Sequence, residues 1–275
     1  MKNPASGLAA ELAQIALRAG DAIMDHYETG VSVERKSDAS PVTEADRRGE
    51  EIILEGLGKL APGIPTLAEE AASAGDTPNL DNDPETVFFL VDPLDGTKEF
   101  INGSGEFTVN IALIRGGAPE LGVVLAPALG EIFLGVAGEG ARRASTTRGE
   151  IGEWSKIESR RPAPARLTAM GSRSHGSSET QDFLDRLPIE SFAAAGSSLK
   201  FCRLAEGAAD VYPRFGRTME WDTGAGQAVL EAAGGAVFVA GSEHAPLRYA
   251  KAARGYDNPH FVAWGDPAHA KTGVR

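Results

Sequence analysis

The stretch TVFFLVDPLDGTKEF, residues 86–100, constrains the fold more than any other part of the chain. Five apolar residues, Val87 to Val91, suffice for a short buried strand and stop abruptly at Asp92. Pro93 fixes its own φ, and Asp95 lies three residues beyond Asp92, so a stiff turn can aim both carboxylates at one point. Two charges that close repel by roughly 4 kcal/mol at an effective dielectric of about 20. Relief requires a proton on one carboxylate or a cation between the two. The donors at hand are all oxygens, which suits a hard ion, Mg2+ or Mn2+, better than zinc. Gly96 lets the backbone approach a ligand, and the helix start expected in KEF offers N–H groups to a phosphate. Read locally, the same aspartates serve equally well as turn and helix caps.

The rest of the chain supplies a scaffold for such a site. Leu8, Leu12, Ile15, Ala19 and Ile23 recur at helical steps, which predicts a helix over residues 6–28 with a stop at Gly30. A second helix is expected over 43–60, ended by Pro62–Gly63. Strands are expected at 107–114, 121–125 and 131–137, separated by Gly116–Gly117 and the PALG turn, and therefore antiparallel. The proline-rich RRPAPAR marks a boundary, giving an α+β part over 1–160 and an α/β part over 161–275. In the second part strand and helix patterns alternate: LTAMG, SETQDFLDRL, SFAAAG, SSLKFCRLAEG, DVYPRF, DTGAGQAVLEAAGG and AVFVA.

Composition narrows the function. A net charge of −12 argues against a nucleic-acid surface, so an anionic substrate needs a local positive centre. A single cysteine, Cys202, excludes an intrachain disulfide and suits a reducing compartment. The N-terminal residues lack a signal-peptide pattern, and no run of 18 apolar residues occurs.

Further acidic residues occur at motif-like positions. Glu69 and Glu70 stand in LAEE after a proline-containing turn, where a solvated acidic loop is the plain alternative. Asp222, in EWDTGAG, immediately precedes a helix pattern and so also suits an N-cap. Asp46, in SPVTEAD, lies three residues after Thr43, the spacing of a T-x-x-D capping box.

In order, SPVTEAD, LAEE, VDPLDGTKEF and EWDTGAG resemble the lithium-sensitive, Mg2+-dependent phosphatase superfamily, which includes inositol monophosphatases and fructose-1,6-bisphosphatases. DGTKEF, GEFTVNIALI, GSSLKFC and YPRFG resemble the bacterial CysQ-type bisphosphate nucleotidases more closely. The likeness spans about Leu8 to Phe261. It implies a layered αβαβα sandwich with the site in a cleft between the two parts. It places metal ligands on Glu69, Asp92, the Leu94 carbonyl, Asp95 and Asp222, for two or three Mg2+, with Mn2+ as an alternative and Li+ as an inhibitor. It assigns water orientation and deprotonation to Thr97 with Asp46, and a supporting role to Glu70. Substrate contacts fall on Gly96, Thr97, Ser197, Ser198, Lys200 and Arg214, with His175 beside the base or ribose.

The implied reaction is hydrolysis of the 3'-phosphate of adenosine 3',5'-bisphosphate, a small-molecule partner that links the chain to sulfate assimilation. An inositol or sugar monophosphatase is the alternative within enzymes, and a protein-binding regulator on the same fold is the alternative outside them. The resemblance leaves the oligomeric state open. It suggests a cytoplasmic protein, with association at the inner face of the membrane known among relatives. Two positions depart from the pattern: Ala68 stands where relatives usually carry serine, and Gln227 where they usually carry histidine.

Overall fold

The computed structural model describes residues 4–29, 33–35, 41–80, 85–172 and 177–270. In chain order these form α1 (Pro4–Thr29), β1 (Val33–Arg35), β2 (Pro41–Thr43), α2 (Glu44–Leu60), β3 (Thr66–Ala68), α3 (Glu69–Ser73), β4 (Val87–Asp95) and α4 (Thr97–Ile101). The meander that follows is β5 (Thr108–Arg115), β6 (Ala118–Ala126), β7 (Glu131–Val136), β8 (Gly140–Thr147), β9 (Glu150–Ile151) and β10 (Ser155–Ile157). Then come β11 (Leu167–Gly171), α5 (Ser178–Leu184), β12 (Ile189–Ala194), α6 (Leu199–Ala205), β13 (Val211–Arg214), α7 (Gly224–Ala232), β14 (Ala236–Val239), β15 (Phe261–Trp264) and α8 (Pro267–Ala270).

Two sheets dominate. The larger has the order β10-β8-β7-β6-β5-β4-β3, with β9 on β8; its pairs are antiparallel except β3 with β4. The smaller has the order β12-β11-β13-β15-β14, parallel through β12, β11 and β13 and antiparallel beyond. Strand periodicity divides the larger sheet into two faces. Phe89, Val91, Val109, Ile111, Val123 and Leu125 share a core with α1 and α2. Phe88, Leu90, Ala112, Ile114 and Val124 share the other with α6, α7 and the near face of the smaller sheet. The far face of the smaller sheet, with Leu167, Val211, Val262 and Trp264, is covered by α5 and α8. The layers therefore run α, β, α, β, α, the architecture expected.

Two glycines set how closely the layers approach. Gly122 on β6 and Gly135 on β7 are cross-strand partners. A Cβ on Gly122 would lie 2.4 Å from the Ala225 carbonyl oxygen, and one on Gly135 would lie 2.5 Å from the Val229 Cα. The pair forms a bare groove that seats α7 against the sheet, and α7 follows directly on Asp222.

Some elements exceed the sequence expectation. β4 runs on through Asp92 to Asp95, because the chain resumes pairing with β5 after a bulge. LAEE forms a short strand and a helix start rather than a loop, and β8, β10 and β15 are additional strands. No described helix is long and apolar enough to cross a membrane.

Candidate active site

The β4 end carries the acidic array. Asp92 is 1% exposed, and its Oδ1 accepts the Leu94 N–H at 3.0 Å. The Leu94 side chain is buried in the core. The Leu94 carbonyl instead accepts a 3.4 Å contact from the Thr97 hydroxyl, so an apolar residue presents an oxygen to the site. Gly96 takes the left-handed conformation, φ 94 and ψ 42, that turns the strand into α4. Ser197 closes over it: a Cβ on Gly96 would lie 2.4 Å from the Ser197 Oγ.

Glu69 and Asp222 join the two aspartates from other elements. Burial pushes the Asp92 carboxyl well above the usual range, and the charges of Glu69, Asp95 and Asp222 push it further. Glu69 also lies within hydrogen-bonding reach of Asp92. Asp222 is raised by burial, then by Asp95 and Glu69, against a pull down from the Met219 N–H, which donates to its Oδ2 at 2.9 Å. Asp95 is pushed up to about 6 by burial, offset first by the Lys200 charge and then raised by Glu69 and Glu99. Among the described residues, no three acidic, histidine or cysteine side chains already close into a finished metal cage. The donor chemistry nonetheless fits a hard divalent cation: several carboxylates raise one another's pKa around a buried oxygen-only turn, and a cation would reverse that repulsion.

Asp46 does two things at once. Its Oδ2 accepts the Thr43 N–H at 2.7 Å and the Thr43 hydroxyl at 2.6 Å, closing the capping box of α2. Its Oδ1 accepts the Thr97 hydroxyl at 3.2 Å, across 51 residues of sequence. One side chain of SPVTEAD thus both caps α2 and reaches Thr97. The same face of α2 continues through Gly49 and Glu50. A Cβ on Gly49 would lie 3.3 Å from the Pro93 Cβ, so the helix lies close against the DPLD turn.

The second half supplies the positive end. A cleft of about 110 Å³ is lined by Asp95, Gly96, Ser197, Lys200, Arg214 and Asp222, among others. Lys200, 6% exposed, donates to the Ser197 carbonyl at 2.7 Å and the Ala195 carbonyl at 3.2 Å, with its Nζ 5.4 Å from the Tyr212 ring centre. Burial lowers its pKa to about 8, against an upward pull from Asp95. Arg214 donates to the Arg217 carbonyl at 3.1 Å, and its buried Nε has no hydrogen-bond partner. The serines act differently from a simple anion cradle. The Ser197 hydroxyl donates to the carbonyls of Asp95, at 2.7 Å, and Glu106, at 2.8 Å, while that of Ser198 donates to the Asp222 carbonyl at 2.7 Å. Ser197 thus ties the second half to the first, and Ser198 ties the start of α6 to the Asp222 segment within the second half, both beside the carboxylates. His175 lies outside the described residues.

Sequence reasoning missed three contributors. Asn110, paired with Asp92 across the β4–β5 ladder, approaches Asp95 Oδ2 through Nδ2 at 3.5 Å, and its buried Oδ1 has no partner. Glu106 accepts the Gly196 N–H at 2.9 Å. Glu50 accepts the N–H groups of Glu70 and Ala71. Of these, only Glu50 left a signal, one helical turn after Asp46. The departure at Gln227 is spent internally: it accepts the Tyr249 hydroxyl at 2.6 Å and donates to Glu231 and to the Leu247 carbonyl.

The profile of the inositol monophosphatase family matches residues 5–263. The chain belongs to this family. A Salmonella typhimurium relative named 3'(2'),5'-bisphosphate nucleotidase CysQ is 45% identical over 226 residues, which is 82% of this chain and 87% of that one. The crystal structure of CysQ from Bacteroides thetaiotaomicron, described as a bacterial member of the family, superposes with a TM-score of 0.76. It is 37% identical, with 93% of this chain and 96% of that one covered. An IMPase from Thermotoga maritima shares the fold, with a TM-score of 0.74 at 24% identity over 95% of this chain and 93% of its own.

Proposed function

We propose that the chain is a metal-dependent phosphomonoesterase that removes the 3'-phosphate of adenosine 3',5'-bisphosphate, giving AMP and phosphate. One observation carries this reading: a single cleft is lined both by Asp95 and Asp222 of the acidic array and by two cations, Lys200 and Arg214. A substrate with one phosphate to cleave and a second to anchor matches that polarity. The relatives named as bisphosphate nucleotidases support the choice of substrate.

Mg2+ or Mn2+, held by Glu69, Asp92, the Leu94 carbonyl, Asp95 and Asp222, would supply Lewis acidity toward the phosphoryl oxygens and the attacking water. Asp46 accepts the Thr97 hydroxyl hydrogen, which leaves a lone pair on Thr97 Oγ1 to receive a hydrogen from that water and orient it in line. Glu70 stands beside Glu69 as a further acceptor for a water in the array. The Gly96 and Thr97 N–H groups face the transferred phosphoryl group, and the buried Lys200 and Arg214 hold the 5'-phosphate. Ser197 and Ser198 keep that cationic end in register with the carboxylates. Residues 1–160 and 161–275 act as the two walls of the cleft, and the reaction belongs to the cytoplasm.

The test is phosphate release measured side by side from adenosine 3',5'-bisphosphate and inositol 1-phosphate, with Mg2+ and with a chelator. Faster release from the nucleotide, abolished by the chelator and reduced by Li+, is the expected result. A faster rate on the inositol ester would overturn the substrate assignment.

A further inference from the structure

Helix α3 is preceded by Ala68, whose backbone has the extended geometry of an N-cap, φ −119 and ψ 148, but whose side chain has no oxygen to cap with. The two N–H groups that a capping serine normally satisfies are those of the second and third helical residues, here Glu70 and Ala71. Both are bonded from elsewhere. Glu50 Oε2 accepts the Glu70 N–H at 2.8 Å, and Glu50 Oε1 accepts the Ala71 N–H at 2.9 Å. Glu50 is 6% exposed and projects from α2 one turn after Asp46. A buried carboxylate therefore fixes the start of a five-residue helix whose first residue is Glu69, a proposed metal ligand.

We infer that Glu50 is a positioning residue: it caps α3 in place of the missing Ala68 hydroxyl and thereby aims Glu69 and Glu70 at the Asp92–Asp95 turn. The inference rests on the metal-dependent reading of that cluster. It makes α2 a common brace. Asp46 fixes Thr97, Gly49 abuts Pro93, and Glu50 fixes the Glu69 segment, all from one helix face. Carboxylate bonds to N–H groups at a helix start are charge-assisted and directional, so their loss frees the rotation of the first turn. A ligand held loosely binds its ion more weakly; partners behind metal ligands typically contribute about 10- to 100-fold in affinity.

The experiment titrates metal-free protein with Mn2+, followed by the loss of the free-ion magnetic resonance signal, with thermal melts in parallel. The proteins are wild type, Glu50→Ala, Glu50→Gln, Glu50→Ala with Ala68→Ser, Glu50→Gln with Ala68→Ser, and the exposed control Glu51→Gln. We expect Glu50→Ala to weaken Mn2+ binding about 10-fold or more. Glu50→Gln keeps one acceptor oxygen and should weaken it several-fold. Ala68→Ser should restore most of the affinity in either background, because it returns the cap to its usual place. Glu51→Gln should match wild type. In turnover, the Mg2+ concentration for half-maximal rate should rise in the Glu50 variants while the rate at saturating Mg2+ largely recovers. If Glu50→Ala does not fold, the Glu50→Gln pair with and without Ala68→Ser decides the matter. Mn2+ affinity within two-fold of wild type in the folded Glu50 variants overturns the inference. So does a melting loss without an affinity loss, or a failure of Ala68→Ser to rescue. Wild-type protein that binds no Mn2+ sinks the metal-dependent reading itself, a distinct outcome.

Discussion

The two ends of the cleft are built by opposite means. The acidic end grows from β4, the strand next to the edge of the larger sheet, and its carboxylates crowd one another. The cationic end hangs on α6 and β13 of the smaller layer, and Lys200 is held by two backbone carbonyls and an aromatic face. Crowded like charges wait for an ion of opposite sign. A buried cation hydrogen-bonded to carbonyls, with the Asp95 charge near it, can take up an anion. The proposed function assigns the chemistry to the first end and the anchoring to the second, and variants should separate the two.

The largest effect is expected from Asp95→Asn, which keeps the shape but removes a charge from the acidic end. Losing about 3–4 kcal/mol of transition-state charge stabilisation lowers turnover by about two to three orders of magnitude. Steady-state rates at saturating Mg2+ check this, and near-normal turnover would remove Asp95 from the ligand set. Thr97→Val comes next. It deletes the hydroxyl that Asp46 receives, and kcat should fall about 100-fold with Mn2+ affinity unchanged.

At the other end, Lys200→Met should raise KM for adenosine 3',5'-bisphosphate about 10- to 100-fold, the worth of a charged hydrogen bond. The rate on a phosphate ester with no second phosphate should barely change. Lys200 also has a pH signature. Its folded pKa, about 8, lies below its ordinary value of 10.5. The unfolded chain therefore holds more protons between the two values, and stability rises with pH across that window. Below about pH 8 the full cost of the buried charge is present. Denaturant melts of metal-free wild type should gain on Lys200→Met as pH climbs from about 8 to 10.5. The smallest effect is expected from Arg143→Ala, which opens the ring of Arg143, Glu131, Arg203 and Glu206 that ties β7 and β8 to α6. Arg143 is 43% exposed, so screening limits the loss to about 0.5 kcal/mol, measured by denaturant midpoint.

The legibility of the sequence followed from the range of its signals. The elements α1, β5, β6 and β7 were readable because they have long apolar periods, whereas the αβαβα layering followed from the family resemblance. β4 was seen as ending at Val91 because apolarity ends there; only pairing with β5 reveals that strand geometry continues to Asp95. β8 escaped notice because GARRASTT sits toward the sheet margin and alternates weakly. β3 and α3 are three and five residues long, too short for any period to register. At the site, the motifs exposed the residues that carry charge. Of the parts that hold them, Asn110 on the neighbouring strand was silent and Glu50 showed only its spacing from Asp46, because their partners are remote in sequence. The Ser197 and Ser198 hydroxyls looked free for an anion, and only three dimensions show them occupied by the carbonyls of Asp95, Glu106 and Asp222.

The two oxygens of Asp46 have a consequence for how this molecule wears out. One oxygen caps the first turn of α2 and the other accepts the Thr97 hydroxyl, so in the proposed mechanism unwinding that turn would disarm the reaction. Mild heat or denaturant that frays this turn should therefore cost activity before the larger sheet melts.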